Sequence, residues 1–151
     1  MKEIKVNMCE YKKAKAPDEL YSGGLGPCIA IGAIYEKRGY LAHHHSCGHN
    51  YSIFIDPFFR DLRKDVKDDN KKCRIYVVGG EFRYDDEDKE EVIEGRNIVL
   101  KKITQYKFQE AIKKIRFCPP NHMQSLRLIL SMETAHIEQE DLTEYLLDCE
   151  D

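Results

Sequence analysis

The apolar run CIAIGAIY at residues 28–35 constrains the fold of this chain more than any other feature. It is short, almost wholly apolar and bounded by turn signals, a pattern typical of a buried strand. Arg38-Gly39 is predicted to supply a turn, and residues 40–46 to return as the partner strand. With the centre of the turn near residue 36, position 28 pairs with about position 44. The sequence therefore predicts a buried hairpin.

The remaining hydrophobic patterns mix strands with helices. They predict strands at residues 4–8, 73–78 and 126–132, and a polar loop at residues 12–18. They predict helices from Asp56-Pro57 onward, over residues 92–103, over residues 108–115 and, at the end, over residues 142–146. We therefore expect one α+β domain over residues 1–151, built as a sheet-and-helix sandwich.

Composition and charge suggest a cytoplasmic protein. The 24 basic and 27 acidic residues give a net charge of -3, which offers no argument for nucleic acid as a partner. No segment approaches the roughly 20 consecutive apolar residues of a membrane span, so membrane insertion is not expected either. The first residues lack the apolar core of a signal peptide. The six cysteines are scattered and form no C-x-x-C pair, which favours free thiols in a reducing compartment.

Cys28 and His43 are candidates for a nucleophile and its base. The hairpin brings the start of one strand beside the end of the other, so the two side chains would be neighbours although they are distant in sequence. A histidine within hydrogen-bond reach stabilises a thiolate or removes the thiol proton. The alternative for Cys28 is a small buried hydrophobic residue, and for His43 a strand histidine with a satisfied hydrogen bond.

Two glycine-rich segments are candidates for contact with a substrate. Gly24 and Gly26 let the backbone take positive φ and approach a substrate closely, and amide groups of such a turn can form an oxyanion hole. Gly79-Gly80 is typical of a turn that ends a strand. Together with Glu81, Gly80 is predicted to line the cleft that binds the substrate.

Two segments, SGGLGPCIA at residues 22–30 and GYLAH at residues 39–43, resemble the signature of the chemoreceptor glutamine deamidase family, CheD. Further segments resemble other parts of that family in the same order: VGGE at residues 78–81, IEGRN at residues 93–97 and RLIL at residues 127–130. The resemblance covers about residues 20–135. It implies a layered α/β/β sandwich with mixed, mostly antiparallel sheets and helices packed outside.

The same resemblance implies an activity. Cys28 would be the nucleophile, His43 the general base and then acid, and Ser22 the residue that orients His43 by a hydrogen bond. The reaction would convert a glutamine side chain to glutamate through a thioester, with release of ammonia and without a cofactor. The substrate would be a chemoreceptor or another signalling protein with an accessible glutamine.

Three residues depart from the family pattern, and one of them, Pro27, motivates an alternative. Ser22 replaces a threonine and keeps the hydroxyl but loses the methyl group that fixes its rotamer. Pro27 replaces a serine and removes a backbone N–H next to the nucleophile. Glu81 replaces an alanine and adds a carboxylate. The alternative is a CheD-like binding module with altered catalysis that docks to a signalling or regulatory protein.

A third hypothesis is a metal site in the segment HHHSCGH. His43, His45, Cys47 and His49 are ligand types crowded within seven positions. In an extended strand all four side chains would point to one face. Ligands drawn from one short segment seldom close a tetrahedral zinc site.

Overall fold

The computed structural model describes residues 1–45, 52–82, 87 and 89–148. Within them two β-sheets and three helices form an α+β structure. The strands are β1 (Glu3–Lys5), β2 (Glu10–Lys15), β3 (Glu19–Leu25), β4 (Ile29–Tyr35), β5 (Arg38–His44), β6 (Arg74–Gly79), β7 (Ile112–Phe117), β8 (His122–Ile129) and β9 (Thr134–Asp141). The helices are α1 (Ser52–Val66), α2 (Lys89–Gln105) and α3 (Thr143–Asp148). No helix in these ranges is long and apolar enough to cross a membrane.

Both sheets are mixed and mostly antiparallel. The four-stranded sheet has the order β1-β3-β8-β9, and the five-stranded sheet has the order β2-β5-β4-β6-β7. β1 with β3 and β6 with β7 are parallel pairs, whereas the other neighbours run antiparallel. The predicted hairpin, β4 with β5, therefore lies inside the larger sheet.

The five-stranded sheet has a buried core on each face. One core lies between the two sheets and joins Leu126 of β8 to Ala30 of β4. The other lies under α1 and α2, where Phe58 packs with Ile31 of β4. Because successive side chains of a strand point to opposite faces, a strand between two cores is apolar at nearly every position. This double burial explains the continuous apolar run that dominates the sequence.

The turn of the hairpin lies at Glu36-Lys37, not at Arg38-Gly39 as the sequence suggested. Both turn residues have positive φ, 48° and 60°, which is the backbone signature of a two-residue type I′ turn. Arg38-Gly39 instead begins β5. The register places Ile29 opposite His44, so position 28 is one residue out of the predicted pairing with position 44.

The helix predicted over residues 108–115 is wrong. A single turn of 3-10 helix occupies Gln109–Ala111, and the chain then continues as strand β7. The apolar spacing that suggested a helical face includes Ile112 and Ile115, which are partly exposed. β7 pairs in parallel with the edge of β6, and those backbone hydrogen bonds override a helical pattern that spans barely two turns.

The polar loop predicted over residues 12–18 is also wrong for its first part, where β2 extends to Lys15. β2 is an edge strand paired with β5, so its lysines reach solvent while Tyr11 packs against the core under α1. Lysine-rich edge strands resemble loops in sequence because one side of the strand is solvated.

The other helices and strands agree with the prediction in type, with shifted ends. α1 begins before Asp56-Pro57 and contains Pro57, and its predicted apolar stripe, Phe58, Leu62 and Val66, is buried. The strand predicted over residues 126–132 ends as β8 at Ile129, and Leu130–Met132 forms a 3-10 turn. β9 was not predicted.

Candidate active site

Ser22 faces the space between the sheets by the alternation of β3, on the same side as buried Leu20. The glycine-rich turn that the sequence suggested is in fact the end of this strand. Ser22 lies opposite Leu126 and Leu25 lies opposite Gln124, so three steps on β3 match two on β8, which defines a bulge. Gly24 within the bulge has φ of 66°, a conformation that favours glycine. Ser22 is fully buried between the sheets.

His43 faces Ser22 from the five-stranded sheet. It shares its face of β5 with Leu41, which belongs to the core between the sheets, and only 5% of its surface is exposed. The Nδ1 atom of His43 lies 2.7 Å from the Oγ atom of Ser22. His44 points to the opposite face of the five-stranded sheet, toward the helices, so the two adjacent histidines lie on different faces. The predicted pair of Ser22 and His43 is therefore brought together.

A backbone carbonyl fixes the direction of this hydrogen bond. The hydroxyl of Ser22 donates to the carbonyl oxygen of Val6 at 2.8 Å, and a carbonyl oxygen can only accept. A serine has one O–H, so its oxygen must accept the bond from His43, and Nδ1 carries the proton. In a neutral imidazole the other nitrogen, Nε2, then holds a lone pair. The hydrogen bonds assign the tautomer that a general base requires.

His43 is held in its neutral form. Burial lowers its pKa below the ordinary histidine value, an effect that the carbonyl of Val6 opposes. Its Nε2 atom is buried and has no hydrogen-bond partner in the part of the chain that the structure describes. A buried lone pair on a neutral imidazole is a base poised to take a proton from a neighbouring group.

Cys28 lies diagonal to His43. Ala30 is directly opposite His43 in the hairpin, and Cys28 comes two residues earlier, one position before β4 begins. Cys28 belongs with Ala30 to the core between the sheets and is 8% exposed. Diagonal neighbours in an antiparallel pair are about 7–8 Å apart at the backbone, within reach of a sulfur and an imidazole ring. The predicted nucleophile and base thus share one face of the sheet.

The turn after β6 holds the loop before Cys28 by two backbone hydrogen bonds. The N–H of Gly80 donates to the carbonyl of Cys28 at 2.9 Å, and the N–H of Glu81 donates to the carbonyl of Gly26 at 2.8 Å. Gly79, with φ of 91°, has no room for a side chain, since a Cβ there would lie 2.1 Å from the Cys28 oxygen. Gly26, Gly80 and Glu81 are therefore gathered around Cys28.

Gly24 lies apart from those three residues, in a groove of about 320 Å³ beside β8 and β9. The groove is lined by Tyr21, Gln124, Glu138 and Glu140 among others. Gln124 connects it to the site, because its side-chain oxygen accepts the N–H of Gly79 at 2.7 Å. Gln124 was not predicted, although it lies two residues before Leu126 and so falls on the same face of β8.

Three other thiols, those of Cys9, Cys73 and Cys118, lie in the part of the chain that the structure describes. Burial raises the pKa of Cys73 and of Cys118 to about 12, which keeps both protonated. Cys9 is exposed. Cys28 is the one among these four that belongs to the core between the sheets, on the face of the hairpin that carries His43.

The metal hypothesis falls partly outside the described residues, because Cys47 and His49 lie there. Among the residues that are described, no group of three or more histidine, cysteine, aspartate or glutamate side chains is arranged to hold a metal ion. The Nδ1 atom of His43, a potential ligand, is engaged by Ser22.

Val6 and Arg96 are further residues that the sequence did not mark for a role in the site. The contribution of Val6 is a backbone carbonyl, which no side-chain pattern reveals. Arg96 lies in the IEGRN segment, and it bonds the turn at Gly80. Arg127, in the RLIL segment, instead bonds Glu3 and Glu19.

No protein-family model matches this chain, and no curated protein matches it.

Proposed function

We propose that this chain is a CheD-like cysteine amidohydrolase that converts glutamine side chains of a protein to glutamate. One observation carries the proposal: Val6, Ser22 and His43 form a hydrogen-bonded chain that leaves the Nε2 lone pair of His43 on the face occupied by Cys28. A thiol beside such a base meets the requirement for nucleophilic catalysis. The signature residues quoted above agree with this site.

The proposed reaction has two halves. His43 takes the thiol proton of Cys28, and the sulfur attacks the carbonyl carbon of the glutamine side chain. The tetrahedral intermediate collapses as the C–N bond breaks, and the imidazolium returns its proton to the departing ammonia. A water molecule, deprotonated by His43, then attacks the thioester, which releases the glutamate side chain and restores the thiol. Water is the only co-reactant, and the reaction requires no cofactor.

The substrate we propose is a cytoplasmic protein with an exposed glutamine, of the chemoreceptor or another signalling class. Cys28 lies at the margin of the space between the sheets, at 8% exposure, so the reacting side chain must enter a narrow site. An extended glutamine side chain on a partner's surface has the reach and the small cross-section for such entry. Gly26, Gly80 and Glu81 are the nearest candidates for contact with it.

The test is a search for deamidation in a chemoreceptor signalling domain and in a panel of glutamine peptides. Incubation with the unmodified protein is expected to release ammonia and to give the mass increase that marks an amide converted to an acid. Cys28→Ser abolishes both changes, whereas Cys9→Ser, which replaces an exposed thiol, leaves them intact. Deamidation that persists in Cys28→Ser contradicts the proposal.

A second candidate, a binding module with altered catalysis, is favoured by Pro27. Proline has no N–H, so this position cannot donate to an oxyanion next to the nucleophile. If none of the tested substrates is deamidated while a signalling protein still binds the chain, this second candidate is preferred.

A further inference from the structure

We propose that Arg96 of α2 is a positioning residue for Cys28, acting through the turn at Gly79-Gly80. This inference rests on the proposed function, because it concerns how the nucleophile is held. Arg96 lies on a helix on the far side of the five-stranded sheet from Ser22. Its guanidinium bonds the carbonyl of Gly80 twice, from Nε at 2.8 Å and from Nη2 at 2.5 Å.

The peptide unit between Gly80 and Glu81 transmits this contact. Its carbonyl accepts from Arg96, and its N–H donates to the carbonyl of Gly26 at 2.8 Å. In a trans peptide these two groups point in opposite directions, so the helix and the loop before Cys28 hold the same rigid plane from its two sides. Rotation of that plane would break both contacts. A cation on the carbonyl also makes the N–H a better donor.

The preceding peptide unit has the same arrangement. The carbonyl of Gly79 accepts the N–H of Cys118 at 2.7 Å, and the N–H of Gly80 donates to the carbonyl of Cys28 at 2.9 Å. Arg96 reaches this side too, since its Nη2 lies 3.4 Å from the carbonyl of Cys118. Two consecutive peptides therefore connect the helix side of the turn to the carbonyls of Gly26 and Cys28, the residues that flank Pro27.

Glycine makes this support necessary. Gly79 and Gly80 both have positive φ, 91° and 71°, and glycine loses more conformational freedom on folding than any other residue. A turn of two glycines would otherwise sample several peptide orientations. Arg96 is itself fixed between two aromatic rings, at 4.7 Å from the ring centre of Phe82 and 4.4 Å from that of Phe117.

The chain offers a matched control in Arg63. Its guanidinium lies 3.8 Å from the ring centre of Phe108 and bonds the carbonyls of Tyr106 and Lys107. Arg63 therefore makes the same kinds of contact as Arg96, a ring and backbone carbonyls, but none of these contacts involves the turn at Gly79-Gly80 or the loop before Cys28. We expect the loss of either arginine to lower the free energy of unfolding by a similar amount. Only the loss of Arg96 should change the reactivity of the Cys28 thiol.

The experiment compares alkylation of Cys28 by iodoacetamide in Arg96→Met and Arg63→Met, with the modified cysteine identified by mass spectrometry across a pH series. In Arg96→Met the rate at neutral pH is expected to fall roughly fivefold, because a displaced thiol loses contact with its base. Arg63→Met keeps the rate of the unmodified protein. Equal rates in both variants, or an equal loss in both, overturn the inference.

Three further variants keep the result interpretable. If Arg96→Met does not fold, the test compares Arg96→Lys with Arg63→Lys. A lower alkylation rate of Cys28 in Arg96→Lys alone supports the inference, since one ammonium cannot replace two guanidinium hydrogen bonds.

His43→Ala separates the two proposals. If His43→Ala lowers the Cys28 rate and Arg96→Met does not, only the role of Arg96 fails. If His43→Ala leaves the rate unchanged, the thiol and imidazole are not a pair and the proposed function fails.

Discussion

The two faces of the central hairpin use polar side chains in opposite ways. On the face toward α1, two tyrosines of the hairpin and one of neighbouring β2 place their rings in the core and their hydroxyls at its rim. Tyr11 and Tyr40 donate to Asp61 and Asp65, one helical turn apart on α1, and Tyr35 donates to Asp69 just beyond it. These contacts anchor the helix to the sheet, and their acceptors remain partly exposed.

On the face toward the four-stranded sheet, the polar groups are enclosed. Ser22 and His43 lie almost wholly out of solvent, and their hydrogen bonds end on the backbone at Val6. Such a buried polar chain contributes little to packing and costs stability if any member loses its partner. The comparison shows that one face of the hairpin anchors a helix, whereas the other holds a base with a fixed proton. His43 and His44, adjacent in sequence, divide between these two faces.

The difference between the two faces is tested most directly by replacing each histidine in turn. His43→Ala is expected to lower the rate of Cys28 alkylation at neutral pH about tenfold, because the thiol loses the base that takes its proton. His44→Gln changes the rate little, since that ring faces the helices. The measurement is the pH dependence of iodoacetamide modification at each cysteine.

Exposed Cys9 serves as an internal reference in the same samples. Its rate should be the same in both variants. A loss of Cys28 reactivity in His44→Gln as large as in His43→Ala would mean that the two faces are not distinct.

A smaller effect is expected from Ser22. Ser22→Ala removes the acceptor for Nδ1 of His43, and one lost hydrogen bond of about 1 kcal/mol lowers the Cys28 rate roughly fivefold. Ser22→Thr keeps the hydroxyl and should stay closer to the unmodified protein than Ser22→Ala does. Ser125→Ala, on neighbouring β8, is the control and should have no effect. An unchanged rate in Ser22→Ala would show that the hydroxyl does not orient the base.

Much of this organisation was predictable from local sequence. A continuous apolar run predicted a buried strand at residues 28–35, and strict alternation then separated His43 from His44 without any structural information. The pairing of the hairpin was predicted to within one residue. These features depend on periodicity, which is a property of neighbouring residues.

The remaining features depend on partners distant in sequence. The bulge that follows Ser22 is defined only by its register with β8, and the carbonyl of Val6 has no side-chain signature. β7 was mistaken for a helix because its strand character comes from pairing with β6 rather than from its own apolar spacing. The role of Gln124 follows from its alternation with Leu126, but it requires knowing that β8 packs against the turn after β6.

The smallest expected effect concerns the dependence of stability on pH, which has the same origin and the same sign for the two histidines. Burial lowers the pKa of His44 to about 4 and also lowers that of His43, so the unfolded chain binds protons that the folded chain does not. Stability is therefore full above the unfolded pKa of 6.5 and falls as the pH drops below it.

Between about pH 6.5 and 5.5, His44 alone should cost about 1 kcal/mol of unfolding free energy. Urea unfolding at the two pH values measures the loss, and His44→Gln should reduce it by that amount. The window lies above the range in which ordinary carboxylates titrate, so the change can be assigned to histidine. Equal losses in His44→Gln and in the unmodified protein would mean that His44 is protonated at no cost in the folded state, and that water reaches this ring on the face toward α1.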